Sequence, residues 1–271
     1  DLHRSNFMDE DMPAVVEGSS HNLIADAMRW AAGSEAASIR GFRYGTHVPA
    51  GSPITMQDIY HYLPIAAKLG RSPKACGKDL KTQVENSTGG TFNADPTLWV
   101  GGWMFGYNGV TFDLDACGGF GIPGMPTERG TNIRVNGTAV DINDPYDPAT
   151  KACKSGAPGY VVAGYWYADD PTTINNCNPC RGRVVQVVKT DGSIVQVAGP
   201  GAPGTLPDSL EVMDITEAVV KYLRENLGGM VTAQNLPIHR LTVKRLPTIN
   251  PYNFNVVQPL RGASAATCPV I

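Results

Sequence analysis

The sequence predicts an α+β fold: a mixed sheet with several hairpins, packed helices, and long loop insertions pinned by disulfides. Three observations carry this expectation. Apolar residues recur at helical spacing near the start and again over 209–226; the middle of the chain alternates around Asn-Gly and Asp-Gly pairs; and Gly/Pro-rich segments holding cysteines separate those strands. With 271 residues and 42% apolar content, the chain is long enough to bury a full core.

The elements follow in order. Residues 1–17 are polar and acidic and read as a lead-in to a domain spanning 18–240. Ser19 or Ser20 is placed to cap a helix over 20–32, whose Leu23, Ile24, Ala27, Met28 and Ala31 share one face before Gly33 ends it. Thr55, with Asp58 three residues on, has the pattern of a capping box and opens a helix through Tyr62. A third helix is expected over 77–86, with Leu80 and Val84 one turn apart.

Period two then takes over. Asn108-Gly109, Asn136-Gly137 and Asp191-Gly192 each stand between aromatic or β-branched runs, and both residues of such pairs accept positive φ, so three hairpins are expected. Insertions are expected at 118–130, 143–158 and 168–207. "SLEVMDITEAVVKYLREN" is the clearest helix, with Val212, Ile215, Val219 and Leu223 along one side and Glu211, Glu217, Lys221 and Arg224 facing water. Residues 241–271 read as an irregular tail.

A net charge of −3 and a pI near 6.0 supply no general field for nucleic acid or an anionic membrane, so anion recognition has to be local. No apolar run is long enough to span a bilayer. The chain starts at Asp1 rather than methionine, which leads us to expect a processed or truncated product.

Six cysteines, Cys76, Cys117, Cys153, Cys177, Cys180 and Cys268, read mainly as structural disulfides and hence as a mark of a periplasmic or extracellular protein. Cys177 and Cys180 form a CxxC, which also fits a redox pair or half of a zinc site. The five histidines, His3, His21, His47, His61 and His239, form no HxH, HxxxH or HExxH pattern, and neither a GxSxG elbow nor a phosphate-binding P-loop is present. Recognition residues are what remain. Arg43 stands between Gly41 and Gly45 with Phe42 and Tyr44 beside it, a setting that presents a guanidinium fork to an anion. Trp103 follows two glycines and is placed to stack on a ligand, while His21 and Arg4 are weaker candidates near the first helix.

"SSHNLIADAMRW", then "GFRYGTHVPAGSPITMQDIYHYLP", then "GKDLKTQVENS" resemble, in the same order, the C-terminal domain of the 5'-nucleotidase family. "GFRYG", "FNADP" and "GGWMFGYNGVTFD" are most similar to its SoxB-type thiosulfohydrolase branch. The resemblance covers residues 3–115 well and 131–240 loosely, and it implies a 5'-nucleotidase C-terminal-like fold. In such enzymes an N-terminal metallophosphoesterase domain holds two divalent metals, manganese in the sulfur enzymes, and the C-terminal domain grips the substrate.

By that resemblance Arg43 matches a substrate-binding arginine, Arg4 a second one upstream, and Trp103 one of two aromatics that sandwich a base in the nucleotidases. The sulfur enzymes often carry a non-aromatic residue at that last position, and the nucleotidase "GGDGY" loop has no counterpart near Tyr165, Trp166 and Tyr167. The resemblance thus implies the substrate-binding half of a periplasmic hydrolase. Its partners would be a metallophosphoesterase-type domain or chain and a sulfur-carrier protein. A nucleotide phosphohydrolase and a non-catalytic binding subunit are the alternatives.

Overall fold

The computed structural model describes residues 2, 16–41, 47–64, 66–98, 103–167, 185–199, 202, 207–237, 240–247 and 262–268. The expected α+β class is found. Helix α1 (Ser19–Ala32) leads to strand β1 (Ala36–Gly41), α2 (Met56–Tyr62), β2 (Ala67–Ala75) and α3 (Gly77–Phe92). There follow β3 (Trp103–Asn108), β4 (Val110–Asp115), β5 (Gly130–Val135), the short β6 (Thr138–Ala139), β7 (Tyr146–Asp147) and β8 (Ala152–Cys153). The chain continues with β9 (Tyr160–Tyr167), β10 (Val185–Val188), β11 (Ile194–Ala198), α4 (Ile215–Lys221) and β12 (Thr242–Arg245).

A six-stranded mixed sheet in the order β11-β10-β2-β9-β1-β3 forms the centre, and a second sheet runs β12-β4-β5-β6. The central strands are covered on both faces, which is why neighbouring residues enter different cores. Ala36, Val162 and Val187 pack with α3 and the second sheet, through Leu80, Val84, Phe112 and Ile133. Their chain neighbours Ala37, Ala163 and Val188 pack on the other side with α1, α2 and α4, through Leu23, Met28, Ile59 and Val219.

Local chemistry sets the ends of the helices. Gly33 closes α1 in the left-handed region (φ 54°), its N–H bonded to the carbonyls of Arg29 and Trp30. The cap at the start is Gly18, not Ser19 or Ser20, which are both buried inside the first turn. Thr55 and Asp58 make the reciprocal capping box: the Asp58 N–H donates to Thr55 Oγ1 at 3.3 Å and the Thr55 N–H to Asp58 Oδ2 at 2.7 Å. Helix α3 runs six residues past its expected end at 86, to Phe92. Its polar finish is not a loop, because Thr88 and Thr91 satisfy their hydroxyls on the carbonyls of Val84 and Ser87 and stay buried.

Two of the three expected hairpins form, at Asn136-Gly137 between β5 and β6 and at Asp191-Gly192 between β10 and β11. The third does not. At Asn108-Gly109 the chain passes between sheets, since β3 pairs with β1 while β4 pairs with β5 and β12. Gly109 takes φ 74° there, and a Cβ on it would collide with the Glu35 carbonyl, so the site needs glycine without being a hairpin turn. The helix expected over 209–226 begins only at Ile215, with Asp214 as its cap, and ends in a π-helical turn over Tyr222–Asn226. Residues 212–214 instead bridge the sheet: Val212 pairs with Lys189 and Asp214 with Lys68. Thr242–Arg245, in the part expected to be irregular, adds a parallel strand beside β4.

Disulfides Cys76–Cys153 and Cys117–Cys268 pin the insertions as expected. Cys177 and Cys180 lie outside the described residues. The insertion at 118–130 is also held to α3 by charge. Lys81 reaches Glu85 Oε1 at 2.8 Å, Arg129 reaches Glu85 Oε2 at 3.3 Å, and the Gly130 N–H donates to Glu85 Oε1 at 3.0 Å. Burial alone would raise the Glu85 carboxyl. The hydrogen bonds from Lys81 and from the backbone of Gly130 and Arg129 outweigh it and hold the group below its ordinary value.

A carboxylate depressed in this way stabilises the fold fully above its unfolded pKa of about 4.3, and that contribution is lost as pH falls through the folded value. Glu85→Gln is therefore expected to be less stable than the parent at neutral pH and to lose less stability on acidification below about pH 4.3. Urea unfolding at a series of pH values checks this, and parallel acid slopes for the two proteins would contradict it.

Candidate functional site

The sheet topology brings the loops of interest together. β1 and β9 run parallel, paired at Ala36 with Val162 and Ala37 with Ala163, so their last residues, Gly41 and Tyr167, lie toward the same end of the sheet. β3 runs antiparallel to β1, and its first residue, Trp103, is the partner of Gly41. The ends of β1 and β9 and the start of β3 therefore stand at one end of the sheet. Residues 42–46, 99–102 and 168–184, which adjoin these strand ends in sequence, lie outside the described residues.

Arg43, Phe42 and Tyr44 follow directly on Gly41 but lie outside the described residues, as does Arg4. For Trp103 the backbone position in β3 is described, and it falls at this end of the sheet. His21 packs on the middle of β3, beside Gly106 and Ile39. It is 1% exposed, inside α1 and against β3, so close to Gly106 that a Cβ there would stand 2.8 Å from the His21 Cβ.

Next to the end of β1 the face toward α3 is polar. Ser38 Oγ accepts from Gln83 Nε2 at 2.9 Å, and the Ser87 Oγ accepts from the Phe105 N–H at 2.8 Å. Tyr107, paired with Ser38, is buried, and that burial pushes its phenol far above the ordinary range, with Ser87 acting the other way. Arg40, the residue before Gly41, is half-buried, and its Nε is enclosed without a hydrogen-bond partner.

A larger charged cluster sits elsewhere. Asp26 on α1 receives Arg240 through both oxygens, at 2.5 and 2.8 Å, and also the Asn108 side-chain amide. Asn22 donates to Glu17 at 2.6 Å, and Glu17 accepts the Arg240 backbone N–H at 3.0 Å. Arg29 reaches Asn108 at 2.7 Å and Asn136 at 2.8 Å. Asn108 ends β3 at the other end of the sheet from Trp103, about 17 Å away at roughly 3.3 Å per residue. This cluster ties Arg240, Leu241, the end of β3 and the β5–β6 turn to α1. It is scaffold rather than site.

Among the described residues, no group of three or more His, Cys, Asp and Glu is placed to hold a metal ion, and no helix is long and apolar enough to cross a membrane. What this end of the sheet offers is binding: backbone at a strand end, a guanidinium with an unanswered donor, and a polar floor.

Comparison with known proteins agrees with this architecture. The sulfate thiohydrolase SoxB of Thermus thermophilus, solved in complex with glycerol, is 18% identical and matches with a TM-score of 0.53 over 92% of this chain and 34% of its own. A 5'-nucleotidase precursor from Thermus thermophilus, also 18% identical, matches with a TM-score of 0.49 over 84% of this chain and 35% of its own. The chain thus spans about a third of the length of these structures. No curated protein matches the sequence. The family model for the 5'-nucleotidase C-terminal domain matches residues 4–163. With that model covering more than half of the chain and the fold in agreement, the chain belongs to the 5'-nucleotidase C-terminal domain family.

Proposed function

We propose that this chain is the substrate-binding part of a SoxB-like hydrolase that works in the periplasm or outside the cell on a sulfur-bound sulfonate or thiosulfate-type group. The observation that supports the reading is the pairing of Gly41 with Trp103, which puts the residue two before Arg43 at the end of the sheet toward which β1 and the parallel β9 run. A guanidinium flanked by glycines in sequence suits a tetrahedral oxyanion, which it holds through two parallel N–H donors. Arg43 would grip the anion, Arg4 would assist, and Phe42 and Tyr44 would border it. Two divalent metals, manganese in this reading, belong to an N-terminal metallophosphoesterase-type domain or a separate chain. A sulfur-carrier protein would present the substrate. The two disulfides support an oxidising compartment.

A second reading, a nucleotide phosphohydrolase, is favoured by the position of Trp103 at the same end, where an indole can stack on a base. A third, a non-catalytic binding subunit, has the same geometry without turnover. The test is to purify the native protein with every chain that accompanies it, measure its metals, and assay S-sulfocysteine and AMP in parallel. Turnover of S-sulfocysteine, with Arg43→Gln lowering kcat/KM about a hundredfold, is the expected result. Turnover of AMP alone favours the second reading, and a lone metal-free chain without activity favours the third. An unchanged kcat/KM in Arg43→Gln would remove the assigned role of that residue.

A further inference from the structure

Arg40 is set apart from the other arginines of the scaffold. Arg71 bonds Gln186 through Nε at 2.8 Å and the Ala32 carbonyl at 2.6 Å; Arg129 is shared among Glu85, the Gly119 carbonyl and the Phe120 ring; Arg240 closes on Asp26. Arg129 Nε is likewise enclosed without a partner, but the rest of that guanidinium is bonded, whereas Arg40 has an enclosed Nε and makes no hydrogen bond or ion pair with any described residue. Its place is fixed by the strand. Ser38 faces α3 through Gln83, and Ile39 faces α1 across Gly106, so alternation along β1 puts Arg40 on the α3 side at the second-last position, where the pairing with β3 slips between Ile39 and Gly41. There it stands one residue from Gly41, at the end of the sheet where the substrate reading places the ligand.

A buried donor left unsatisfied is costly, and folded proteins seldom retain one without a use for it. An aliphatic residue would fill the same space on β1 at less cost, and the two terminal nitrogens of Arg40 are not among the enclosed atoms, so the fork is open to an external acceptor. We infer that Arg40 is an anion-binding residue in its own right, whose guanidinium takes a tetrahedral oxyanion such as sulfate or the sulfonate end of a substrate at the carboxyl end of β1. This rests on the reading of that end as the substrate end, but not on the chemistry that follows binding or on Arg43.

The experiment uses the full 271-residue chain and its Arg40→Met and Arg40→Lys variants, unfolded by heat in sodium chloride and in sodium sulfate at equal ionic strength, with sulfate titrated calorimetrically. Sulfate stabilises folded proteins generally by exclusion from their surface, so the informative quantity is the difference between parent and variant. In chloride, Arg40→Met is expected to melt at or above the parent, because it removes an unpaired donor. In sulfate, the parent is expected to gain several degrees more than Arg40→Met, and sulfate affinity to fall at least tenfold in Arg40→Met and less in Arg40→Lys, which keeps the charge without the fork.

An Arg40→Met that melts well below the parent in chloride would reveal an internal partner and overturn the proposal. An equal sulfate response in all three proteins would overturn it too, leaving a carboxylate of a neighbouring domain as the natural acceptor. Failure of the functional reading shows elsewhere, in the turnover assay and in Arg43→Gln. Loss of sulfate binding in Arg40→Met from a protein that turns over neither substrate would uphold this site while removing that reading.

Discussion

Arg240→Ala is expected to lower the stability of the chain by about 3–5 kcal/mol, more than any other single side-chain change considered for this fold. Asp26 is 6% exposed and the Arg240 side chain 12%, so neither charge is well served by water. Removing the guanidinium leaves Asp26 buried with the Asn108 amide and no countercharge, and that uncompensated carboxylate is the source of the cost. The same reasoning predicts a coupling. Asp26→Leu with Arg240→Leu should recover part of the loss, since the desolvated charges leave together. Urea unfolding of the parent, both single variants and the double variant gives the cycle. A loss below about 1 kcal/mol in Arg240→Ala would mean that the pair behaves as a surface ion pair and that the backbone at 240–241 is held by its Glu17 contacts instead.

Where a short stretch of sequence contained its own partners, its structure was legible. The Thr55–Asp58 capping box needs only residues three apart, and it formed as read. The Asn136-Gly137 turn likewise needs only its own φ values, 48° and 80°, and the two short strands it joins. Asn108-Gly109 has the same composition and failed as a hairpin, because its outcome depended on distant residues. The Asn108 side chain is taken by Asp26 and Arg29 of α1, and the strands on its two sides had better partners in separate sheets. Residues 212–214 were misread for a related reason: Val212 continues the apolar rhythm of α4, yet Lys189 and Lys68 offered strand partners. Pattern fixes which face is apolar, while tertiary competition decides the backbone.

The site divides along the same line. "GFRYG" was recognisable from composition alone, a cation framed by glycines, and the topology places its first glycine at the end of β1, paired with Trp103. His21 drew notice as a polar residue at a helix start, yet helical geometry turns it inward against Gly106. The Glu17–Asn22–Asp26–Arg240 cluster was not read at all. Its signal on α1 was present, as Asn22, Asp26 and Arg29 fall four and three residues apart on one face, but Arg240 is 214 residues from Asp26 and no spacing rule reaches that far. Arg40 looked like an ordinary strand residue, since only the structure can show that its Nε goes unanswered.

Breaking the Cys117–Cys268 disulfide with serines is expected to cost about 3–5 kcal/mol, near the top of the usual range. The bridge joins residues 151 apart, so it restricts most of the unfolded chain, and it fastens the segment at 262–268, whose only backbone bond to another described element is from Ala263 to the Phe92 carbonyl at 2.7 Å. Cys76–Cys153 spans 77 residues. Because the entropic term grows with the logarithm of loop length, the two bridges should differ by only about 0.6 kcal/mol if chain entropy dominates.

Guanidinium unfolding of each serine pair tests this. A gap of several kcal/mol would show that local packing at one bridge outweighs the entropy, and a cost below about 1 kcal/mol for Cys117–Cys268 would refute its anchoring role. The two loops interlock, since Cys117 lies between Cys76 and Cys153, so closing one bridge changes the chain entropy of closing the other and the two costs are not expected to add simply. Reduction of either bridge would weaken the fold, and disulfides of this kind are the rule where thiols are kept oxidised. The disulfides therefore bear on where the protein works as directly as on what holds it together.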